Sequence, residues 1–222
     1  MPEHLPHIAG QDDRGPFRPT AHRAAGAAPP VAARSRVIIV SGPSGAGKGT
    51  LIERILPRFP DVEVAISATT RRRRPGEVDG VEYWFLSPAE FDRRVAGGAF
   101  LEHVEYAGNR YGTLRSEIDR ILAAGRSPLV ELELAGARAI RRDVPEAASI
   151  FIAPPSLAEL GRRLERRATD TEGEIAARLA TSRVELEAMS EFDHVIVNDE
   201  VGPAAERLAA VIAEVTGEAP DG

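Results

Sequence analysis

Cysteine is absent from the 222 residues, which excludes disulfides, thiolate metal sites and cysteine nucleophiles. Lysine is almost absent: the 28 cationic side chains include a single lysine, Lys48, and the rest are arginine. The five histidines are scattered and show no metal-ligand spacing. No apolar run approaches the roughly 20 residues that span a membrane. A net charge of −6 argues against a general nucleic-acid surface. What remains is a chain with 43% hydrophobic residues, enough for a sizeable core in one large domain or one domain with lobes.

The lone lysine lies in Gly42-Pro43-Ser44-Gly45-Ala46-Gly47-Lys48-Gly49-Thr50, directly after the apolar run Val37–Val40. A strand, a glycine-rich turn and a lysine opening a helix form the phosphate-cradling P-loop pattern. Its glycines let backbone N–H groups turn inward as an anion nest, and the helix N-terminus adds positive partial charge. A lysine ammonium then reaches the outer phosphates as a compact point charge, which a guanidinium fork does not imitate.

Around this motif apolar strands alternate with helical patterns. Val37–Val40 precedes a helix from about 48 to 58, Val130–Leu134 a short helix near 137–142, Ser149–Ala153 a long helical region, and His194–Asn198 a final helix near 203–215. This alternation predicts an α/β fold: a parallel P-loop sheet flanked by helices. Ser87-Pro88-Ala89-Glu90 and Ser156-Leu157-Ala158-Glu159 read as capping boxes. Residues 62–113 break the alternation with strand-like pieces at Val64–Thr69, Val81–Leu86 and Leu101–Tyr106. They predict a β-rich lobe inserted into a domain spanning 35–216, with core pieces 35–61 and 114–216. Residues 1–34 lack periodicity and read as a disordered tail, a poor secretory or transit signal, which gives a cytoplasmic expectation. Residues 217–222 read as a frayed end.

Four arginines stand together in Ser67-Ala68-Thr69-Thr70-Arg71-Arg72-Arg73-Arg74-Pro75-Gly76-Glu77, before a tight turn in an acidic chain. That favours a local anion site. Tyr83, then Phe100-Leu101-Glu102, then Tyr111-Gly112-Thr113 follow in order. With Phe151–Ser156 and Val195–Asp199, these segments make the chain resemble the guanylate kinase family over about residues 36–215.

The resemblance implies roles for individual residues. Arg71 and Arg74 would grip the GMP phosphate, with the phenols of Tyr83 and Tyr111 completing the clamp. Glu102 would accept from guanine N1–H and the 2-amino group, with Ser67 and Thr113 serving the base at O6 and Glu133 also on the GMP side. The chemistry agrees, since an ionised carboxylate is an acceptor-only fork and guanine offers two adjacent donors. Adenine lacks that pair and would leave the carboxylate unpaired. Arg163, Arg167 and Arg178 match the arginines of a lid, about 160–180, that closes on the ATP phosphates. Asn198 matches a residue near adenine. The implied activity is ATP + GMP → ADP + GDP with Mg²⁺. GMP and dGMP are the acceptors, and no nucleic acid, membrane or obligatory protein partner is implied.

Some positions depart from the family pattern. Gly49 stands where many P-loops place Ser or Thr, so Mg²⁺ is expected through phosphates and water, with Thr50, Glu131 and Glu133 as candidate contacts. Glu131-Leu132-Glu133 replaces an Asp-x-Asp, each carboxylate one methylene longer. Arg166 and Ala168 stand where the lid has glycines. Two other readings share the P-loop: a binding module without catalysis, and a kinase of a phosphorylated sugar. Lys48 with the lid arginines argues against the first, and Glu102 with Ser67 and Thr113 against the second.

Overall fold

The computed structural model describes residues 35–106, 108–166 and 172–219. The expected tail, the expected lid arginine Arg167 and residues 220–222 lie outside them.

The first apolar run forms β1 (Ile38–Ser41), all four residues buried. It is the middle strand of a five-stranded parallel sheet. The other members are β2 (Val62–Val64), β7 (Ser127–Leu132), β8 (Ala148–Ala153) and β9 (His194–Val197), in the order β2-β7-β1-β8-β9. Helices on both faces explain why the central strands are apolar throughout rather than alternating. On one face α1 (Lys48–Ile55) and α7 (Val201–Thr216) bury Leu51, Ile52, Ile55, Leu208 and Ile212 against Ile38, Val40 and Ile150. On the other, α3 (Arg115–Ala123) and α4 (Leu134–Asp143) bury Ile118, Ile121, Ala137 and Ile140 against Ile39, Val130 and Phe151. The α/β expectation therefore holds.

A second sheet has four strands. They are β3 (Ala68–Thr69), β4 (Trp84–Phe85), β5 (Phe100–Tyr106) and β6 (Asn109–Leu114), in the order β4-β3-β6-β5. The helix α2 (Pro88–Ala96) packs on it through Phe91, which stacks on Phe100. Ser87 caps α2 as expected, accepting from Glu90 N–H, and Ser156 caps α5 (Leu157–Arg166) in the same way through Glu159 N–H. Neither glutamate closes the reciprocal half of the box. Glu90 turns to Arg93 and Arg94, and Glu159 to Arg162 and Arg163. The helix α6 (Glu172–Glu187) completes the α5–α6 arm. No helix among the described residues is long and apolar enough to cross a membrane.

Several element bounds differ from the expectation. Val64–Thr69 is not one strand. Val62–Val64 pairs with Ser127–Leu129 in the parallel sheet, and only Ala68–Thr69 joins the second sheet. The crossing between sheets is therefore at 65–67 rather than 61–62. Val81–Leu86 shrinks to Trp84–Phe85, because the chain turns at Gly80, whose φ is +79°. The strand expected at Val130–Leu134 lies earlier, and Leu134 already opens α4. The strand β6 and the helix α3 were not expected; Asn109–Thr113 carries no apolar alternation that would mark β6.

Candidate active site

The P-loop forms at the C-terminal end of β1. Gly42 has φ +139°, and a Cβ there would stand 2.2 Å from the Ile152 carbonyl oxygen of β8. Gly47 has φ +94°, and a Cβ there would meet Asn198 Nδ2 at 2.3 Å. Both positions exclude side chains on two grounds, conformation and space. Lys48 opens α1 and is buried. Its Nζ donates to Gly42 O at 2.7 Å and Pro43 O at 3.4 Å and lies 3.9 Å from Glu131 Oε1. The ammonium is thus curled into its own loop, with Glu131 across from it.

Beside the loop lies a cavity of about 320 Å³ between the two sheets. Lys48, Glu131 and Glu133 line one end, Glu102 and Gly136 the other, and Ser67, Tyr83 and Tyr111 the wall from the second sheet. Glu82 and Tyr106 also line it, which sequence reasoning missed. The rings of Tyr83 and Tyr111 meet edge to face at 6.0 Å. Burial raises the Tyr83 phenol above its usual range, with Tyr111 adding to it, so its O–H stays available as a donor. Arg71 stacks over Tyr83 at 5.3 Å and forms a two-point ion pair with Glu77 at 2.7 and 3.1 Å. Glu77 also accepts from Arg74 N–H, so it holds the arginine turn together, and the Arg74 side chain is exposed.

Glu102 is placed by a β-bulge. Phe100 pairs with Leu114, yet the next partner of Thr113 is Glu102, leaving Leu101 as the extra residue. Bulges re-aim side chains. Here Leu101 enters the core, and Glu102, 5% exposed, stands opposite Thr113. Thr113 Oγ1 donates to Glu102 Oε1 at 2.8 Å. Its only O–H is thereby directed at Glu102. Glu102 Oε2 is buried with no hydrogen-bond partner. Burial pushes the Glu102 carboxyl above the usual carboxylate range, and the hydrogen bonds from Thr113 offset only part of that.

Glu131 comes from β7, and Glu133 is the residue before the first turn of α4. Glu131 opens onto the cavity on one side and is walled by protein on the other. Burial raises its carboxyl, with Lys48 opposing and Glu133 and Glu53 adding. A Cβ on Gly49 would lie 3.7 Å from Glu131 Oε2, an ordinary contact, so the carboxylate runs alongside the loop. Glu185 of α6 is buried and pushed up to about 7 by burial and by its contact with Glu133. Among the described residues no three His, Cys, Asp or Glu groups assemble as a metal cage. The available donors are carboxylate and hydroxyl oxygens, Glu131 and the exposed Thr50. That fits a hard cation bound mainly through phosphates and water.

On the lid side Arg163 and Asn198 both reach the P-loop. Arg163 does not point free toward a phosphate. Its guanidinium donates to Asn198 O at 2.9 Å and to Ala46 O at 3.5 Å, with Glu159 at 3.0 Å. Asn198 Nδ2 donates to the same Ala46 O at 2.7 Å, and Asn198 Oδ1 is buried without a partner. Both residues therefore brace the back of the P-loop. Arg178 lines a neighbouring cavity with Ser44, Glu133 and Glu185.

A buried lysine in an anion nest at the end of a central parallel strand, facing a cavity shared with a second sheet, defines a P-loop phosphotransferase. The family model described as guanylate kinase matches residues 34–215. The curated guanylate kinase of Frankia casuarinae is 51% identical over 174 residues, 78% of this chain and 95% of that protein. That of a Synechococcus strain is 49% identical over 178 residues, 80% and 95%. The crystal structure of guanylate kinase from Anaplasma phagocytophilum superposes with a TM-score of 0.69 at 28% identity, covering 84% of this chain and 89% of that one. The chain belongs to the guanylate kinase family.

Proposed function

We propose that the cavity between the sheets holds GMP, with its phosphate toward Lys48 and its base against Glu102, and that ATP lies in the P-loop. The enzyme transfers the γ-phosphoryl group of ATP to GMP, giving ADP and GDP. The observation that carries the assignment of the base is Glu102: a buried carboxylate with one oxygen satisfied by Thr113 and the other left for a ligand. Guanine brings two adjacent donors to such an acceptor, whereas adenine brings no such pair. Ser67 serves the base directly. Arg71, Arg74, Tyr83 and Tyr111 bind the GMP phosphate, and Glu77 pre-orders Arg71 for that task.

At the other end Lys48 leaves the carbonyls of Gly42 and Pro43 for the β- and γ-phosphates, which are better partners. Positioning and charge stabilisation supply the catalysis, with no covalent intermediate and no dedicated side-chain base. Arg163 and Asn198 keep the loop rigid, while Arg178, with Arg167, carries positive charge toward the transferring group. Mg²⁺ bound with ATP would neutralise phosphate charge, with Glu131 and Thr50 as its protein-side contacts, directly or through water. Glu133 lines the GMP side of the same cavity.

Coupled ADP-release assays with GMP, AMP, CMP and UMP test this. Turnover with GMP alone is expected, and comparable turnover with AMP would overturn the role of Glu102. A phosphorylated sugar has no planar guanine edge to set against Glu102, and a pure binding module has no use for the Lys48 loop.

A further inference from the structure

Gly136 occupies the third position of α4, where helical φ suits any residue and glycine is among the weakest helix formers. The backbone therefore gives no reason for it. Space does. A Cβ on Gly136 would stand 2.9 Å from Glu102 Oε2, 3.3 Å from Glu102 Cδ and 3.3 Å from Leu132 Cδ2. Ordinary carbon–oxygen contacts are longer than the first of these, so the carboxylate would have to move. It has little room to do so, because Oε1 is held by the Thr113 hydroxyl and the side chain is buried.

We infer that Gly136 is a specificity-determining positioning residue: by leaving its Cβ out, it lets Glu102 hold Oε2 without a protein partner, at the edge of the cavity that both residues line. The inference rests on the reading of Glu102 as the guanine acceptor. It explains why a helix that would gain from alanine has none at this position. α4 thus contributes to base recognition without a side chain, through the backbone surface that the carboxylate lies against.

Gly136→Ala separates this from an ordinary packing role, because the loss should fall on GMP and far less on stability. Alanine favours the helix and offsets part of the cost of displacing the held carboxylate, so the melting temperature should change by only a few degrees. The kcat/KM for GMP should fall roughly tenfold or more, as displacement of a charged hydrogen-bond acceptor does. The KM for ATP should stay within about twofold, since the P-loop is untouched, and the preference for GMP over IMP should shrink. In a Glu102→Ala background the carboxylate is gone, and adding Gly136→Ala should cost nothing further in GMP affinity measured by calorimetry. An unchanged GMP kcat/KM in Gly136→Ala overturns the inference alone, provided Glu102→Ala is impaired. So does an equal GMP loss in both backgrounds, whatever the melting temperature. If Glu102→Ala itself retains GMP turnover, the reading of Glu102 falls and this inference with it.

Discussion

The two ends of the cavity are built on different principles. The phosphate end is backbone: a loop of consecutive residues whose glycines face inward, braced from behind by Arg163 and Asn198 on one carbonyl. The base end is side chain. Glu102 from β5, Thr113 from β6 and the bare surface of Gly136 from α4 meet although they are far apart in sequence. The phosphate end recognises a charge that every nucleotide carries, so it can be generic and rigid. On the proposed reading the base end must discriminate, and its means is one buried acceptor whose ionisation is costly until a ligand satisfies it.

That contrast predicts which substrate each substitution affects. The largest effect belongs to the phosphate end. Lys48→Ala should lower kcat on the order of 10³-fold with either acceptor, GMP or IMP, as loss of a stabilising cation does. Lys48→Arg should rescue poorly, because the fork does not fit a point-charge site. A stopped assay with both acceptors checks it, and near-normal turnover would sink the assignment of the loop. Next comes Glu102→Gln, which puts an amide donor opposite a guanine donor. It should cost about 2–4 kcal/mol in kcat/KM for GMP and less for IMP, which lacks the 2-amino group. Equal losses for both would break the comparison, since the base end would then not be reading the base.

Arg71→Ala should raise the KM for GMP roughly tenfold and leave the KM for ATP nearly unchanged, because it removes one charge-assisted contact. Initial-rate matrices separate the two, and a rise mainly in the ATP KM would move the arginine turn to the other substrate. The smallest effect is a pH shift. Glu102 is already raised by burial and held down in part by Thr113. Thr113→Val removes that hydrogen bond from the ionised form, so the carboxyl rises further. GMP needs the ionised form, so activity is lost as pH falls, and the acid limb of kcat/KM should move to higher pH. Its cost at neutral pH should be about 1 kcal/mol. An unmoved acid limb would show that another group sets it.

The same contrast explains how much could be read from the sequence. The P-loop was legible because its parts are contiguous and each has one physical reason, as at Gly42 and Gly47. The parallel sheet was legible because buried central strands are apolar without interruption. Glu102 was legible only through resemblance, and its partnership with Thr113 was not legible at all. A register shift at Leu101 creates it, and no local composition announces a bulge. Gly136 carried no signal, since a glycine in a helical pattern looks like a small defect. The contacts of Arg163 with the loop carbonyls were not legible, because an arginine on a basic helix says nothing about which carbonyl it will reach. β6 was missed because Asn109–Thr113 reads as a polar turn sequence, though it pairs along its whole length with β5.

One detail of the crossing between sheets has a consequence for how such a chain diversifies. The chain leaves the parallel sheet at Ala65–Ser67 and returns at α3, and the two points are pinned together by Glu117 of α3 accepting from Ile66 N–H at 3.3 Å. The entropy cost of closing such a segment onto the core grows only with the logarithm of its length, about 0.6 kcal/mol per doubling. To the parallel sheet and its phosphate loop, the roughly fifty residues in between resemble a cartridge in a socket. Lineages can redraw the cartridge, and with it the acceptor, while the engine that moves the phosphoryl group stays in register.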